Sequence, residues 1–259
     1  MTIYTVHFQH DRGPDFDTLL SVFRSSVREH MPDARFISET IRPPGYNQGQ
    51  AHSFTNNTAK LEKWIQFMNV VDDDEVILAD CDMVALRPAY HAFDQPFDVA
   101  VTMQSRNGKY PMNGGIVFAR PTDAARDFFR LWLETNNYLL ANQVEHQRWR
   151  AKYAGMNQAA FGQMYELDRI RCHLHEYRTN PWNIVDHDWP FMDDDGVFLH
   201  IKSELRRLVL SLHKPYGRYA KAMAAWYDAA GITPDVTPIR SPHRIHRKRR
   251  VKRSRGKRV

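Results

Sequence analysis

The chain has 259 residues, 42% of them hydrophobic, enough for one substantial α/β domain or two small ones. No apolar run approaches the roughly 18 residues that cross a bilayer, and Met1-Thr2-Ile3-Tyr4-Thr5-Val6-His7 carries no basic stretch ahead of its apolar residues, so neither a membrane span nor a secretory signal is expected. The net charge of +6 is uneven: of 36 Lys+Arg, 11 fall in residues 240–259 with no acid among them, so residues 1–239 keep 25 against 30 acids, a body of −5.

In chain order, Ile3 to Phe8 alternates as a strand, and Gln9 to Asp15, with Gly13-Pro14, reads as a loop. Phe16, Leu19, Leu20, Phe23 and Val27 make one face of a helix over 16–30, stopped before Pro32. Ala34 to Ile37 is a second short strand, so strand, helix and strand suggest a βαβ unit. Residues 42–57, with Pro43-Pro44-Gly45 and Asn56-Asn57, read as a long loop of the kind that is functional or mobile. A helix over about 58–69 follows, with Leu61, Trp64, Ile65 and Met68 on one side, then a solvated acidic turn at Asp72-Asp73-Asp74-Glu75. Asp98 to Met103 and Gly115 to Ala119 are further strands, the latter introduced by Asn113-Gly114. Thr122 or Asp123 caps a helix through Phe128, Leu131, Trp132 and Leu139. A helix over about 157–166, a strand at Val197–Ile201 and a helix at Arg218–Ala230, closed by Gly231, complete the body. Strands alternating with helices give an α/β fold with a mostly parallel central sheet flanked by helices. Residues 1–239 are expected to form a single domain, and 240–259 a basic, disordered tail.

The stretch that carries chemistry is Val76-Ile77-Leu78-Ala79-Asp80-Cys81-Asp82. Four apolar residues, two of them β-branched, run into two acids one residue apart, as at the end of a buried strand. Ligands of open α/β sheets bind at the carboxyl ends of the strands. Two carboxylates there repel unless something positive lies between them, and a hard divalent cation serves. Asp-x-Asp also occurs at 15/17, 72/74, 186/188 and 193/195, where caps, turns and solvated loops account for it; only the 80/82 pair follows an apolar strand. Cys81, between the acids, is expected to turn away into the core. Cys172, His173 and His175 lack a second pair of ligands at zinc spacing and read as a strand with alternating faces. Two cysteines make no disulfide framework, and a reducing cytosol is the expected compartment.

Several features then fall in a telling order: Lys60 four residues before Trp64, Asp80-Cys81-Asp82, Asn113-Gly114-Gly115, Asn157-Gln158, Trp182-Asn183, and His200 with Lys202. Over roughly residues 1–216 this order resembles the GT-A (Rossmann-like) glycosyltransferases, most nearly the glycogenin-like glycosyltransferase family 8 group. The resemblance implies a metal-dependent, retaining transfer of a sugar from a nucleotide-diphosphate sugar, UDP-linked in that group, to an acceptor hydroxyl. It assigns the metal, Mn²⁺ or Mg²⁺, to Asp80, Asp82 and a late histidine. It gives donor contacts to Lys60, Asp80, Asn113, Gly114, Gly115 and Lys202, and places Asn157 and Gln158 at the reactive face of the sugar. The chain departs from the group's pattern in two ways. No glycine follows His200, and a separate His213-Lys214-Pro215-Tyr216 lies downstream, so either histidine is a candidate ligand, His200 preferred because an apolar strand leads into it, with Lys202, Arg206 or Lys214 for the phosphates. Asn157 also stands where the group has an aspartate, so it cannot ionise there but can still bond hydroxyls.

The tail, with Arg247-Lys248-Arg249-Arg250 and Lys252-Arg253, suits polyanions: an anionic membrane surface, nucleic-acid phosphates, or a lipid-linked acceptor. It has no aromatic residue for base stacking. Two functions remain open: an enzyme whose acceptor is a glycan, glycolipid, protein or modified DNA, or a non-catalytic polyanion-binding protein that uses the tail.

Overall fold

The structure, a computed structural model, describes residues 1–9, 15–42, 50–104 and 110–234, without the side chains of 50–53. Residues 10–14 of the loop expected at 9–15, 43–49 of that at 42–57 and 105–109 of one expected at 104–111, with the tail at 240–259 and the boundary at 239, lie outside the described residues. The elements in chain order are β1 (Thr2–Phe8), α1 (Phe16–His30), β2 (Arg35–Ile41), α2 (Gln50–Met68), β3 (Val76–Asp80), β4 (Met83–Ala85), β5 (Val99–Met103), β6 (Met112–Ala119), α3 (Asp123–Ala141), α4 (Gln143–Tyr153), α5 (Asn157–Glu166), β7 (Leu174–Arg178), the single turn α6 (Thr179–Trp182), β8 (Phe198–His200), α7 (Ser203–Leu210) and α8 (Ala220–Ala230).

Six strands form the main sheet in the order β2-β1-β3-β6-β5-β7. β6 alone runs against the rest, pairing antiparallel with both β3 and β5. The α/β expectation with a mostly parallel sheet therefore holds. Side-chain alternation along each strand divides the core. Tyr4, Val6, Val76, Leu78, Val101 and Val117 pack under α2, α3 and α5. Ile3, Ile77, Ala79, Ala100, Ile116 and Phe118 face α1 and the segment around Phe93. A third cluster joins α1, α7 and α8 to a separate two-stranded sheet, β4-β8.

Local chemistry explains the better-read elements. Asp15 caps α1, its side chain accepting from the Thr18 N–H at 2.9 Å, and Thr122 caps α3 by accepting from Ala125 at 3.1 Å, each such cap worth about 1 kcal/mol. Gly231, at φ 64°, takes the left-handed position that ends α8. Two expectations are corrected. The loop expected at 42–57 is helix from Gln50 onward, because Asn56-Asn57, poor helix formers read as a turn, are overridden by packing: the Asn57 carbonyl accepts from Asn157 and Thr58 pairs with Asn136. Asn113 and Gly114 are not a turn before β6 but part of it. There Val101 faces Val117 while Thr102 faces Asn113, so 114–116 bulge out of the β5 ladder. The strand expected at 197–201 is present as β8 and pairs with β4, outside the main sheet.

Candidate active site

β3 ends at Asp80, and the chain turns through Cys81 and Asp82 into β4. The β4-β8 ladder sets Met83 opposite His200, and the Ile201 N–H donates to the Asp82 carbonyl at 2.8 Å. That register carries His200 to the tip of β3. Its Nε2 lies 3.3 Å from Asp82 Oδ1 and 3.8 Å from Asp80 Oδ2. One atom from each of the three side chains lies within 4.8 Å of the other two. His213 is outside this cluster; its backbone is tied to Leu208 and to the Tyr227 hydroxyl.

The other oxygen of each carboxylate is held by a cation. Lys60 Nζ reaches Asp80 Oδ1 at 2.6 Å and the Gly114 carbonyl at 3.2 Å, and lies 4.7 Å from the Trp64 ring centre. Lys60 is thus buried and committed, not a solvated helix lysine, and Trp64 is core. Arg206, from the first turn of α7, bonds Asp82 Oδ2 and donates from Nε to the Ile201 carbonyl at 3.2 Å; its guanidinium sits 4.7 Å from the Phe16 ring. Burial alone would raise the Asp82 pKa, but the charges and hydrogen bonds of His200 and Arg206 more than offset it and hold the carboxyl well below the usual range. Burial first, then the aspartates, push the Cys81 thiol up. Cys81 and Cys172 are both free thiols.

A depressed carboxylate contributes stability above its ordinary pKa of 3.8 and loses it as pH falls through the folded-state value. In EDTA, the stability advantage of the wild-type protein over Asp82→Asn should therefore be full at neutral pH and shrink between about pH 5 and pH 2. Urea unfolding of both proteins across that range checks it; an advantage unchanged at pH 2 would contradict the assignment.

The donor set suits a divalent cation. Two carboxylate oxygens and an imidazole nitrogen match a borderline ion such as Mn²⁺. Bonds of roughly 2.0–2.4 Å to one ion allow donors up to about 4.8 Å apart, and the three donor atoms lie within 4.8 Å of one another, a spacing one ion can bridge. Gly115 is what admits the imidazole: a Cβ there would lie 2.5 Å from both Cε1 and Nδ1 of His200.

Beside this cluster is an open pocket of about 600 Å³ whose wall includes Asn113, Gln158, Asp186, His187, Lys202 and Arg218. Asn113 is fixed from beneath. Its Oδ1 accepts from the Gly115 N–H at 2.9 Å and from Asn183 Nδ2 at 3.0 Å, and Asn183 also donates to Thr102 Oγ1 at 2.8 Å. With its oxygen occupied, Asn113 can offer a ligand its NH₂ group. Gln158 is the converse: its NH₂ donates to the Met112 carbonyl and to the Tyr153 carbonyl at 3.2 Å, leaving its oxygen to accept. Lys202 pairs with Asp186 at 3.2 Å. Asn157 is not on this wall. It is buried, with Nδ2 on the Asn57 carbonyl at 2.9 Å and Oδ1 without a hydrogen-bond partner among the described residues. His173 and His175 join no metal-binding group among the described residues.

Sequence reasoning had placed Arg206 among three candidates for phosphate neutralisation, but not its ion pair with Asp82, and it missed the role of Asn183. Both link residues far apart in the chain, 124 positions for Arg206 and Asp82, and no local pattern records such a pairing.

The chain has the fold of the GT-A glycosyltransferases. Solved structures similar to it include a glycosyltransferase involved in glycosylation of the major capsid of PBCV-1 (14% identity, 82% of this chain and 100% of that one, TM-score 0.56). The galactosyltransferase LgtC in complex with donor and acceptor sugar analogs matches at 13% identity over 89% of this chain and 95% of that one (TM-score 0.57). GlyE of Streptococcus pneumoniae TIGR4 matches at 9% identity over 90% of this chain, but only 61% of its own (TM-score 0.56). Neither protein-family models nor curated proteins match the sequence. Among the described residues no helix is long and apolar enough to cross a membrane.

Proposed function

We propose that this protein is a metal-dependent glycosyltransferase that moves a sugar from a nucleotide-diphosphate sugar, UDP-linked by the family resemblance, to an acceptor hydroxyl. The observation that carries this reading is the convergence of Asp80 Oδ2, Asp82 Oδ1 and His200 Nε2 at the end of β3, where ligands of open α/β sheets bind. A divalent cation held there, Mn²⁺ in preference to Mg²⁺ because of the imidazole, would neutralise the diphosphate as the sugar–oxygen bond breaks. Lys60 and Arg206 add positive charge to the same place and orient the carboxylates. The Asn113 NH₂ donates to a sugar hydroxyl and the Gln158 oxygen accepts from one, so the two grip the sugar from complementary sides of the pocket. Gly114 and Gly115 bring the β6 backbone close to the same region, and Lys202 lies on the pocket wall to meet phosphate. Asn157 sets the start of α5, and so the place of Gln158.

Retention of the anomeric configuration is the outcome carried over with the resemblance. Inversion would need a general base near the acceptor. His187, on the wall of the same pocket with Asp188 Oδ1 3.2 Å from its Nε2, is the residue placed to act as one. The anomeric proton of the product, read by NMR, decides between them.

The test is a thermal-shift screen of UDP-, GDP- and ADP-sugars with and without Mn²⁺. A donor at a hundred times its Kd adds about 2.7 kcal/mol, which for a chain of this size raises Tm by roughly 5–10 °C. Failure of every nucleotide sugar to shift Tm would count against transfer. The competing reading, a non-catalytic polyanion-binding protein, rests on the basic tail. Deleting residues 240–259 should abolish salt-sensitive binding to heparin or anionic vesicles, yet leave transfer to a small soluble acceptor within about twofold. If transfer to every acceptor falls with the tail, the tail belongs to the catalytic unit.

A further inference from the structure

The carboxylate cluster offers an incoming cation no net negative charge. Asp80 and Asp82 carry two negative charges, while Lys60 and Arg206, bonded directly to them, carry two positive ones. With the imidazole uncharged, as a ligand must be, the net charge is zero. The cluster is also largely secluded: Asp82, His200 and Lys60 are each 7% exposed or less, while the side chains of Asp80 and Arg206 are 28% and 22% exposed. A divalent cation arriving alone would leave an excess of two positive charges in this secluded place, where Coulomb terms are weakly screened. The diphosphate of a nucleotide sugar carries the two negative charges that restore neutrality.

We infer that Lys60 and Arg206 act as built-in counter-ions that suppress binding of the metal alone, so that metal and nucleotide diphosphate enter the site interdependently. This rests on the transferase reading and says how its site is loaded. Arg206 is the sharper probe of the two. It touches Asp82 and the Ile201 carbonyl, and it stacks on Phe16, outside the sugar pocket.

The experiment is a Mn²⁺ titration of the whole chain by calorimetry or by the EPR signal of free Mn²⁺, with and without UDP. Wild-type protein should bind Mn²⁺ weakly alone and at least tenfold more tightly with UDP. Arg206→Gln should bind Mn²⁺ alone about tenfold more tightly than wild type, so that the UDP-dependent gain shrinks. Arg206→Lys, which keeps the charge, should behave as wild type. Lys60→Gln should move in the same direction as Arg206→Gln and serves if that variant does not fold. Glutamine variants whose Mn²⁺ affinity in the absence of UDP equals or falls below wild type would overturn the inference while leaving the transferase reading intact. Wild-type protein that binds neither Mn²⁺ nor any nucleotide would overturn both.

Discussion

Asp82→Asn should abolish metal-dependent sugar transfer, by ~10³-fold or more, about 4 kcal/mol of transition-state stabilisation. The asparagine has the same shape and loses only the charge and one ligand oxygen. The fold should survive. An amide can present its oxygen to Arg206 and its NH₂ to His200 Nε2, so the loss of an ionic partner for an arginine that is 22% exposed costs about 1–2 kcal/mol. Asp80→Asn should be nearly as damaging to turnover. Steady-state rates over a Mn²⁺ series, together with denaturant unfolding, separate the two effects. A variant that unfolds, or one that retains a tenth of wild-type turnover, would not fit the role given to Asp82.

Gly115→Ala should be the most disruptive single-methyl substitution near the site. The new Cβ would fall 2.5 Å from two ring atoms of His200 and 2.9 Å from Asn113 Oδ1. His200 is only 5% exposed and cannot swing away freely. Overpacking of this kind costs about 1–3 kcal/mol. The forced displacement of the imidazole should add a loss of roughly 10–100-fold in Mn²⁺ affinity, the range seen when a ligand's orientation is disturbed. Gly114→Ala is the matched control, since its Cβ would meet nothing closer than Gln158 Cγ at 3.8 Å. It should shift stability by less than about 1 kcal/mol. Calorimetric Mn²⁺ titration and Tm measured on both variants check the contrast; equal behaviour of the two would show that Gly115 does not make room for His200.

What was legible in the sequence was whatever a local period or cap encodes. The bounds of α1 and α5 agree with expectation, since Phe16 to Val27 repeat on one face and Asn157 opens its helix. β3 was legible because an apolar run ends in acids. α4 was not, because its sequence is polar nearly all round and it buries only His146, Trp149 and Tyr153. The early start of α2 was hidden by its asparagines. At the site, the two aspartates follow from one strand and could be placed from sequence. The preference for His200 over His213 comes from the apolar strand leading into it, whereas its contact with the aspartates depends on the β4-β8 register, a pairing of segments more than a hundred residues apart. The same holds for Arg206 on Asp82 and Asn183 beneath Asn113. At Gly115 the reason for glycine proved to be the packing of an imidazole against the backbone, a cause no turn rule contains.

The most direct measurement is the anomalous signal from crystals grown with Mn²⁺ and UDP, recorded at the manganese absorption edge. One peak is expected within bonding distance of Asp80 Oδ2, Asp82 Oδ1 and His200 Nε2, with the diphosphate completing its coordination. Nucleotide bound with no peak among these three side chains, or a peak held by other residues, would contradict the assignment.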